Sequence, residues 1–219
     1  MTDTAPAPVT PETQLSAVTR TVTPTADGFI VSLAQTFAVD AEDIWSALTI
    51  GEHLASWFGR ASGDAVEGGR YELPDMETRG TVLAIDAPHR LLLSWEVGRS
   101  ASTLELLVTP EEGERTRTRF ELRHTVPDDA HWEAFGPSAT GCGWDAALYA
   151  LALHLEDPEA HLMRRLGEFA GSAAGAAFTR ATADAWFEAH VATGADKKPA
   201  RKASVRAAAF YLGEETDLS

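Results

Sequence analysis

The sequence predicts an α+β fold in which helices enclose an antiparallel sheet. Two tryptophan-marked helical segments bracket about six short strand-like segments: the first runs from Ile44 to Gly59, and the second begins at Gly143 and Trp144. The turns between the strand-like segments are short, so neighbouring strands should pair antiparallel. A sheet with a helix pair at one end and a long helix at the other is typical of a fold that encloses a cavity.

Composition indicates one domain of ordinary size with an appendage. The chain has 219 residues, of which 44% are apolar, enough for a hydrophobic core. Its formal net charge is −15, and residues 1–156 carry nearly all of it, with 10 basic and 24 acidic residues. Because an acidic body repels phosphate backbones, we expect no nucleic-acid partner. A short basic patch at residues 197–206 is expected to be a solvated linker or helix face.

The location expected for the protein is cytoplasmic. Cys142 is the only cysteine, which excludes an intrachain disulfide. The sequence has no apolar stretch long enough to cross a bilayer, and its N-terminus lacks the pattern of a secretory signal, so no membrane partner is expected. The Ala-rich, Lys-poor composition is typical of a GC-rich bacterial genome.

The chain divides into three regions. Residues 1–14 are rich in Thr, Pro and Ala, have no large apolar anchor beyond Val9, and are expected to be disordered. Residues 15–156 hold the strands and the two tryptophan-marked segments. Residues 157–219 are Ala-rich with glycine breaks and are predicted to form a helical C-terminal extension.

Period-2 alternation defines the strands. Segments 16–23 and 29–38 are predicted to form a hairpin, and segments 90–97, 102–109 and 115–124 are predicted to follow as strands. In the last of these the arginines share one face, which must be solvated, while the opposite face points inward. The inward residues are Thr116, Thr118, Phe120, Leu122 and His124.

The long helix is predicted over about 138–156. Asp128 could cap a turn through Trp132 and Phe135 before it, but Gly136 and Pro137 disfavour a continuous helix. Asp157 and Pro158 end the long helix. Its apolar stripe, at helical spacing, consists of Trp144, Leu148, Leu151 and Leu155.

Three motifs in this order resemble the SRPBCC (START-like, helix-grip) superfamily. Within it, the chain looks most like the homologues of the C-terminal domain of the heat-shock-protein ATPase activator. The motifs are Ile44–Phe58, then Gly80-Thr81-Val82 through Pro88, Leu91 and Ser94-Trp95, then Gly143-Trp144 through Leu148 and Leu151. The resemblance implies the helix-grip fold, a curved antiparallel sheet of about six to seven strands around the long C-terminal helix, with a cavity between them and an extra helical tail.

The candidate cavity lining combines aromatic residues with a few polar ones, which suits an amphipathic ligand. The residues are Trp57, Tyr71, Trp95, Thr118, Phe120, His124, Trp144 and Leu148. For each aromatic residue the alternative is simple core packing. For His124 the alternative is a place at the strand end, bonded to backbone near solvent.

The sequence gives little support for a reactive thiol, a metal site or a phosphate-binding loop. Cys142 has no partner base nearby and is expected to be an inert buried thiol. The seven histidines are dispersed without metal-ligand spacing, so neither a metal nor a cofactor is expected. No glycine-rich loop suited to phosphate is present.

Three functions therefore stay open. The first is a non-enzymatic protein that binds a small apolar or aromatic molecule in the cavity. The second is a protein-interaction domain resembling a chaperone cofactor, with a chaperone or another protein as partner. The third is a cyclase or hydrolase of a polycyclic substrate, which needs converging acid and base groups. His124 is the one candidate for such a group, so the sequence favours a protein that is not an enzyme.

Overall fold

A computed structural model describes residues 8–114 and 116–215. Within these residues the chain forms an eight-stranded antiparallel sheet and eight α-helices, which confirms the α+β class and the helix-grip architecture. The sheet has slightly more strands than the six to seven expected, because a two-residue strand at one edge adds to the count. No helix in this part of the chain is both long and apolar enough to cross a membrane.

Most of the strands follow one another along the chain without an α-helix between them. The first half contains α1 (Pro11–Ala17), β1 (Thr19–Pro24), β2 (Gly28–Phe37), α2 (Ala41–Thr49), α3 (Gly51–Trp57), β3 (Ser62–Gly63), β4 (Arg70–Leu73) and β5 (Thr78–Asp86). The second half contains β6 (Arg90–Val97), β7 (Ser100–Pro110), β8 (Thr118–Pro127), α4 (Ala130–Phe135), α5 (Ser138–Glu156), α6 (Leu162–Ala170), α7 (Ala173–Ala192) and α8 (Lys197–Tyr211).

The sheet has the strand order β1-β2-β8-β7-β6-β5-β4-β3. Each neighbouring pair is antiparallel, and β2 meets β8 along its full length, so the first hairpin joins the later meander. The inner face packs against α5. Its buried residues include Leu91, Leu93, Leu104, Leu106, Phe120 and Leu122.

The inward face predicted for the last strand is confirmed for Thr118, Phe120, Leu122 and His124. It is wrong for Thr116, which is exposed in the preceding turn, because β8 begins at Thr118 and not at residue 115. Before it, the backbone N–H of Glu111 donates to the carbonyl of Arg117, and their side chains form an ion pair, so these residues close the turn. On the outer face Arg123 pairs with Glu105 and Glu121. The arginine face is solvated, as period-2 alternation predicts, and Arg123 is neutralised by Glu105 on the neighbouring strand and by Glu121 on its own strand.

The N-terminal region differs from the expectation. Disorder was expected up to residue 14, but residues 11–17 form α1, while residues 1–7 lie outside the described part. Thr10 and Thr13 cap the helix reciprocally, and Pro11 occupies its first turn, where proline fits. Gln14 is 2% exposed and bonds to Gln35 on β2. This buried polar pair, which leaves no apolar signature, holds the segment in place together with the partly buried Val9 and Leu15.

The long helix spans Ser138–Glu156, as the sequence predicts. A short helix, α4, precedes it, and Asp129 caps α4 by accepting from two backbone N–H groups. Gly136 separates the two helices with φ 58°, a left-handed conformation that suits glycine. The break expected at Gly136 and Pro137 is therefore real, and it occurs between two helices.

The C-terminal extension packs against the rest of the chain. Trp186 of α7 is fully buried, and its indole N–H donates to Asp145 of α5 at 2.8 Å. The same carboxylate accepts from Arg20 of β1, and both side chains of this ion pair are buried. One buried carboxylate thus connects the sheet edge, the long helix and the extension. At the far end, Phe210 is 66% exposed and docks only partly.

Candidate functional site

A pocket of about 150 Å³ lies between the inner face of the sheet, α5 and the segment 57–65. Leucines from β6, β7, β8 and α5 form its floor. Six of the eight predicted lining residues border it: Trp57, Tyr71, Trp95, Phe120, Trp144 and Leu148. The other two, Thr118 and His124, do not. The walls are almost entirely apolar, the character that small-molecule pockets usually have.

Aromatic rings from separate elements converge on this pocket. The ring of Trp95, on β6, meets that of Trp144, on α5, edge-on with centroids 5.1 Å apart. The ring of Phe58 stacks nearly parallel to that of Trp144, with centroids 6.3 Å apart. Such offset and edge contacts stabilise aromatic pairs. The helix stripe and the strand alternation place these rings together, since each comes from a face that already points inward.

The polar edges of two wall residues are bonded within the protein. The indole N–H of Trp57 donates to the carbonyl of Ala47 at 3.1 Å, and the Tyr71 hydroxyl donates to the carbonyl of Ser94 at 2.7 Å. Burial raises the pKa of Tyr71 above its ordinary value, with Glu96 adding to the effect. Gly80 lies opposite Tyr71, and a Cβ there would come within 2.6 Å of the tyrosine ring. A glycine therefore leaves space for the ring to lie across β5.

His124 lies behind the pocket wall. It is 6% exposed, and both ring nitrogens are bonded: Nδ1 accepts from the Trp144 indole N–H at 3.0 Å, and Nε2 lies 2.7 Å from Oγ of Ser102. Ser102 in turn donates to the carbonyl of Trp95. Burial lowers the pKa of His124 from 6.5 to about 4. His124 is therefore neutral and positions Trp144, and it does not reach the space inside the pocket.

Thr118 is fully buried at the start of β8, away from the pocket. Its hydroxyl donates to the carbonyl of Val39 at 2.8 Å, which ties β8 to the chain between β2 and α2. The inward alternation of β8 predicts its burial correctly. Alternation alone does not distinguish a residue that borders a pocket from one that packs beside it.

The pocket has few groups that could act as acids or bases. Its titratable lining residues are Tyr71 and Asp64, and the hydroxyl of Tyr71 already donates to the carbonyl of Ser94. Cys142 is buried on α5 outside the lining, and burial raises the pKa of its thiol to about 12. Among the residues the structure describes, no group of three or more His, Cys, Asp or Glu side chains is arranged to hold a metal ion.

The structure also adds lining residues that the sequence analysis missed. Phe58 and the run Ala61–Ala65 close one side of the pocket, and Ala147 adds to the α5 wall. Phe58 lies within the first motif, next to Trp57, so its signal was present. Residues 61–65 show neither apolar periodicity nor a motif, and nothing in their sequence marks them as part of a wall.

Comparison with known families identifies the chain. The family described as "Activator of Hsp90 ATPase homolog 1-like protein" matches residues 38–156, more than half of the sequence. The chain belongs to this family. The matched range begins just before α2 and ends with α5, so it contains the helix pair, the long helix and every residue of the pocket lining except Leu33. A comparison with curated proteins gives no match.

Solved structures of several relatives share the fold. The crystal structure of CalU16 from Micromonospora echinospora is 25% identical, with 77% of this chain and 95% of that chain covered and a TM-score of 0.54. The crystal structure of DynU16, from the dynemicin biosynthetic locus, is 20% identical, with 59% and 48% covered and a TM-score of 0.51. A protein of unknown function, EF2215 from Enterococcus faecalis, is 16% identical, with 68% and 83% covered and a TM-score of 0.53.

Proposed function

We propose that this protein binds a small apolar or aromatic molecule, without chemical conversion, in the pocket between the sheet and α5. The observation that carries the proposal is the apolar pocket itself, bordered by aromatic rings from α3, β6 and α5. Apolar cavities near 150 Å³ in other proteins stay dry and take up benzene-sized molecules. Family membership supports a binding role in general terms, while the fold itself does not fix the function.

Pocket filling provides a matched test of this proposal. Ala147 lines the pocket, whereas its neighbour Ala146 is exposed on the same helix. Ala147→Leu should weaken binding of an apolar fluorescent dye at least tenfold, and Ala146→Leu should leave it unchanged. Native mass spectrometry of freshly purified protein should also detect a co-purifying small molecule. Equal dye affinity in both variants, or no dye binding to the wild type, would contradict the proposal.

A second candidate is a protein-interaction role like that of a chaperone cofactor. It is favoured by the description of the family and by an exposed aromatic cluster, in which Phe210 of α8 meets Phe135 of α4 at 5.9 Å and Tyr211 at 6.0 Å. The expected result under this candidate is that the full chain stimulates ATP hydrolysis by an Hsp90-class chaperone. Phe210→Ser should then reduce the stimulation, and the pocket variant Ala147→Leu should not.

The enzymatic alternative receives the least support. A cyclase or hydrolase needs at least two converging acid and base groups at the substrate. The pocket has Tyr71, which is bonded to a backbone carbonyl, and Asp64, which lies at its mouth. That the protein is not an enzyme, has no nucleic-acid or membrane partner and is cytoplasmic stays a prediction.

A further inference from the structure

One charged residue, Asp64, stands among the residues that line the pocket. It is exposed and follows the short edge strand β3, where the pocket meets solvent. The nearest arginines in the sequence already have partners: Arg60 bonds to Asp75 at 2.6 Å, and Arg70 lies 3.9 Å from Glu96. No ion pair found in residues 8–114 and 116–215 includes Asp64. Its carboxylate therefore gives the mouth of the pocket a negative charge.

Four polar side chains of the pocket lining already donate hydrogen bonds within the protein. The ring donors of Trp57, Tyr71 and Trp144 are bonded to Ala47, Ser94 and His124 respectively. The hydroxyl of Thr49, another lining residue, donates to the carbonyl of Trp45. A polar ligand group that meets only these occupied donors would lose its hydrogen bonds with water on entering, which is costly for a neutral group and more so for a charged one.

We propose that the pocket selects amphipathic cations, with an apolar ring inside and a protonated amine at Asp64. This inference rests on the proposed function, which requires only that an apolar molecule enters. The protonated amine is a charged donor, and the carboxylate of Asp64 is the one charged acceptor among the lining residues, at a position that reaches solvent. An anionic ligand would meet both Asp64 and the field of a chain with net charge −15, so it should be disfavoured.

The volume of the pocket further limits the class of ligands that it can bind. At about 150 Å³ the enclosed space accommodates one ring of benzene size, and a longer substituent must extend through the mouth. Arylalkylamines, with a single ring and a short chain to the amine, satisfy both requirements. A fused polycyclic ligand would need the segment 57–65 to move outward.

Three matched probes test the charge preference: 2-phenylethylamine, 2-phenylethanol and 3-phenylpropionate. They share a phenyl ring and differ in the charge at the end of the chain. By calorimetry at low salt, the wild type should bind the amine about two- to fivefold more tightly than the alcohol, the range that exposed ion pairs give, and bind the carboxylate most weakly. Added salt should reduce the differences, because it screens exposed charges.

Two substitutions of Asp64 test whether this residue causes the preference for the amine. Asp64→Asn should equalise the amine and the alcohol, and Asp64→Lys should reverse the order of the amine and the carboxylate. Glu67→Gln is the matched control, since Glu67 is an exposed acid three residues away that does not line the pocket. It should leave the order unchanged, although it removes the same charge from the protein.

The outcomes separate this inference from the proposed function. If the alcohol binds in the pocket, and neither the amine preference nor the effect of Asp64→Asn appears, the charge selection is wrong and the apolar binding role stands. An equal loss of preference in Glu67→Gln would also overturn the inference, because the overall charge would then explain it. If none of the three probes and no apolar dye binds, the proposed function fails and takes the inference with it.

Discussion

The hydrogen bond from the Trp144 indole N–H to Nδ1 of His124 determines the form of the histidine. Tryptophan can only donate, so Nδ1 is the unprotonated nitrogen of a neutral imidazole, and the ring proton lies on Nε2. That proton points to Ser102, whose own hydroxyl donates to the carbonyl of Trp95. Protonation of Nδ1 would place two donors face to face in a buried site. The hydrogen bond between Trp144 and His124 therefore links the pocket wall to the sheet, and its stability depends on pH.

Acid should destabilise the protein through His124. Its pKa in the folded state is about 4, below the ordinary 6.5, so between these pH values the unfolded chain binds more protons than the folded one. Stability is therefore lost as the pH falls through this window. The loss approaches about 3 kcal/mol, at about 1.4 kcal/mol per pKa unit.

A variant without His124 isolates the contribution of this residue to the pH dependence. Burial also lowers the pKa values of His154 and His190, so the wild-type slope contains their contributions too. Urea unfolding of the wild type and of His124→Gln at pH 7 and pH 4.5 should show a smaller pH dependence in the variant. Identical pH dependence would mean that His124 titrates alike in both states.

Removing the indole N–H of Trp144 should lower the free energy of unfolding, even when an aromatic ring is kept at this position. Trp144→Phe preserves a large apolar side chain but leaves the buried Nδ1 of His124 without its partner, which costs about 1–3 kcal/mol in addition to the lost ring volume. Trp45→Phe makes the same change at a partly buried tryptophan outside the pocket lining. Chemical denaturation should show the larger loss at Trp144, and equal losses would contradict the role of the bond.

Much of the fold could be predicted from the sequence, because it depends on periodicity. The stripe of α5 and the alternation in β6 and β8 each name the residues that face the core, and Pro137 and Pro158 delimit the long helix. The motif order adds the arrangement of the helices around the sheet. These signals are local, so one sequence is enough to read them.

The site could be predicted only in part, because its remaining features depend on contacts between distant residues. Whether an inward residue borders the pocket or packs beside it depends on the neighbouring strands, which separates Phe120 from His124 on the same face of β8. Asp64 borders the pocket because β3 pairs with β4, and the intervening loop is bonded through Gly68 and Gly69 to Val82 of β5. No periodic pattern encodes such a placement.

The buried ion pair between Arg20 and Asp145 should be essential for stability. Replacing Asp145 by Asn leaves the guanidinium of Arg20 buried without a countercharge, which typically costs about 3–5 kcal/mol. It also weakens the acceptor for the Trp186 indole, so the attachment of α7 should loosen. The control is Glu168→Gln in the exposed Arg164–Glu168 pair, where a loss below about 1 kcal/mol is expected. Similar losses in the two variants, measured by urea unfolding, would contradict the buried role of Asp145.

The attachment of α1 should depend on the paired amides of Gln14 and Gln35. Each donates to the other, at 2.8 and 3.3 Å, and both side chains are buried, with exposed fractions of 2% and 8%. Gln14→Leu leaves the Gln35 amide buried without a partner, and Gln35→Leu does the same to Gln14. Each single change should cost about 1–3 kcal/mol, whereas replacing both partners by apolar groups can be nearly neutral.

A double-mutant cycle tests this directly. The Gln14→Leu/Gln35→Leu variant should be more stable than the sum of the single losses predicts, with a coupling of about 1–2 kcal/mol, as expected for residues in contact. If the chain were disordered up to residue 14, as the composition of the N-terminus suggests, the opposite result would be expected. In that case Gln14→Leu alone would leave the urea midpoint unchanged, and the effects of the two substitutions would simply add.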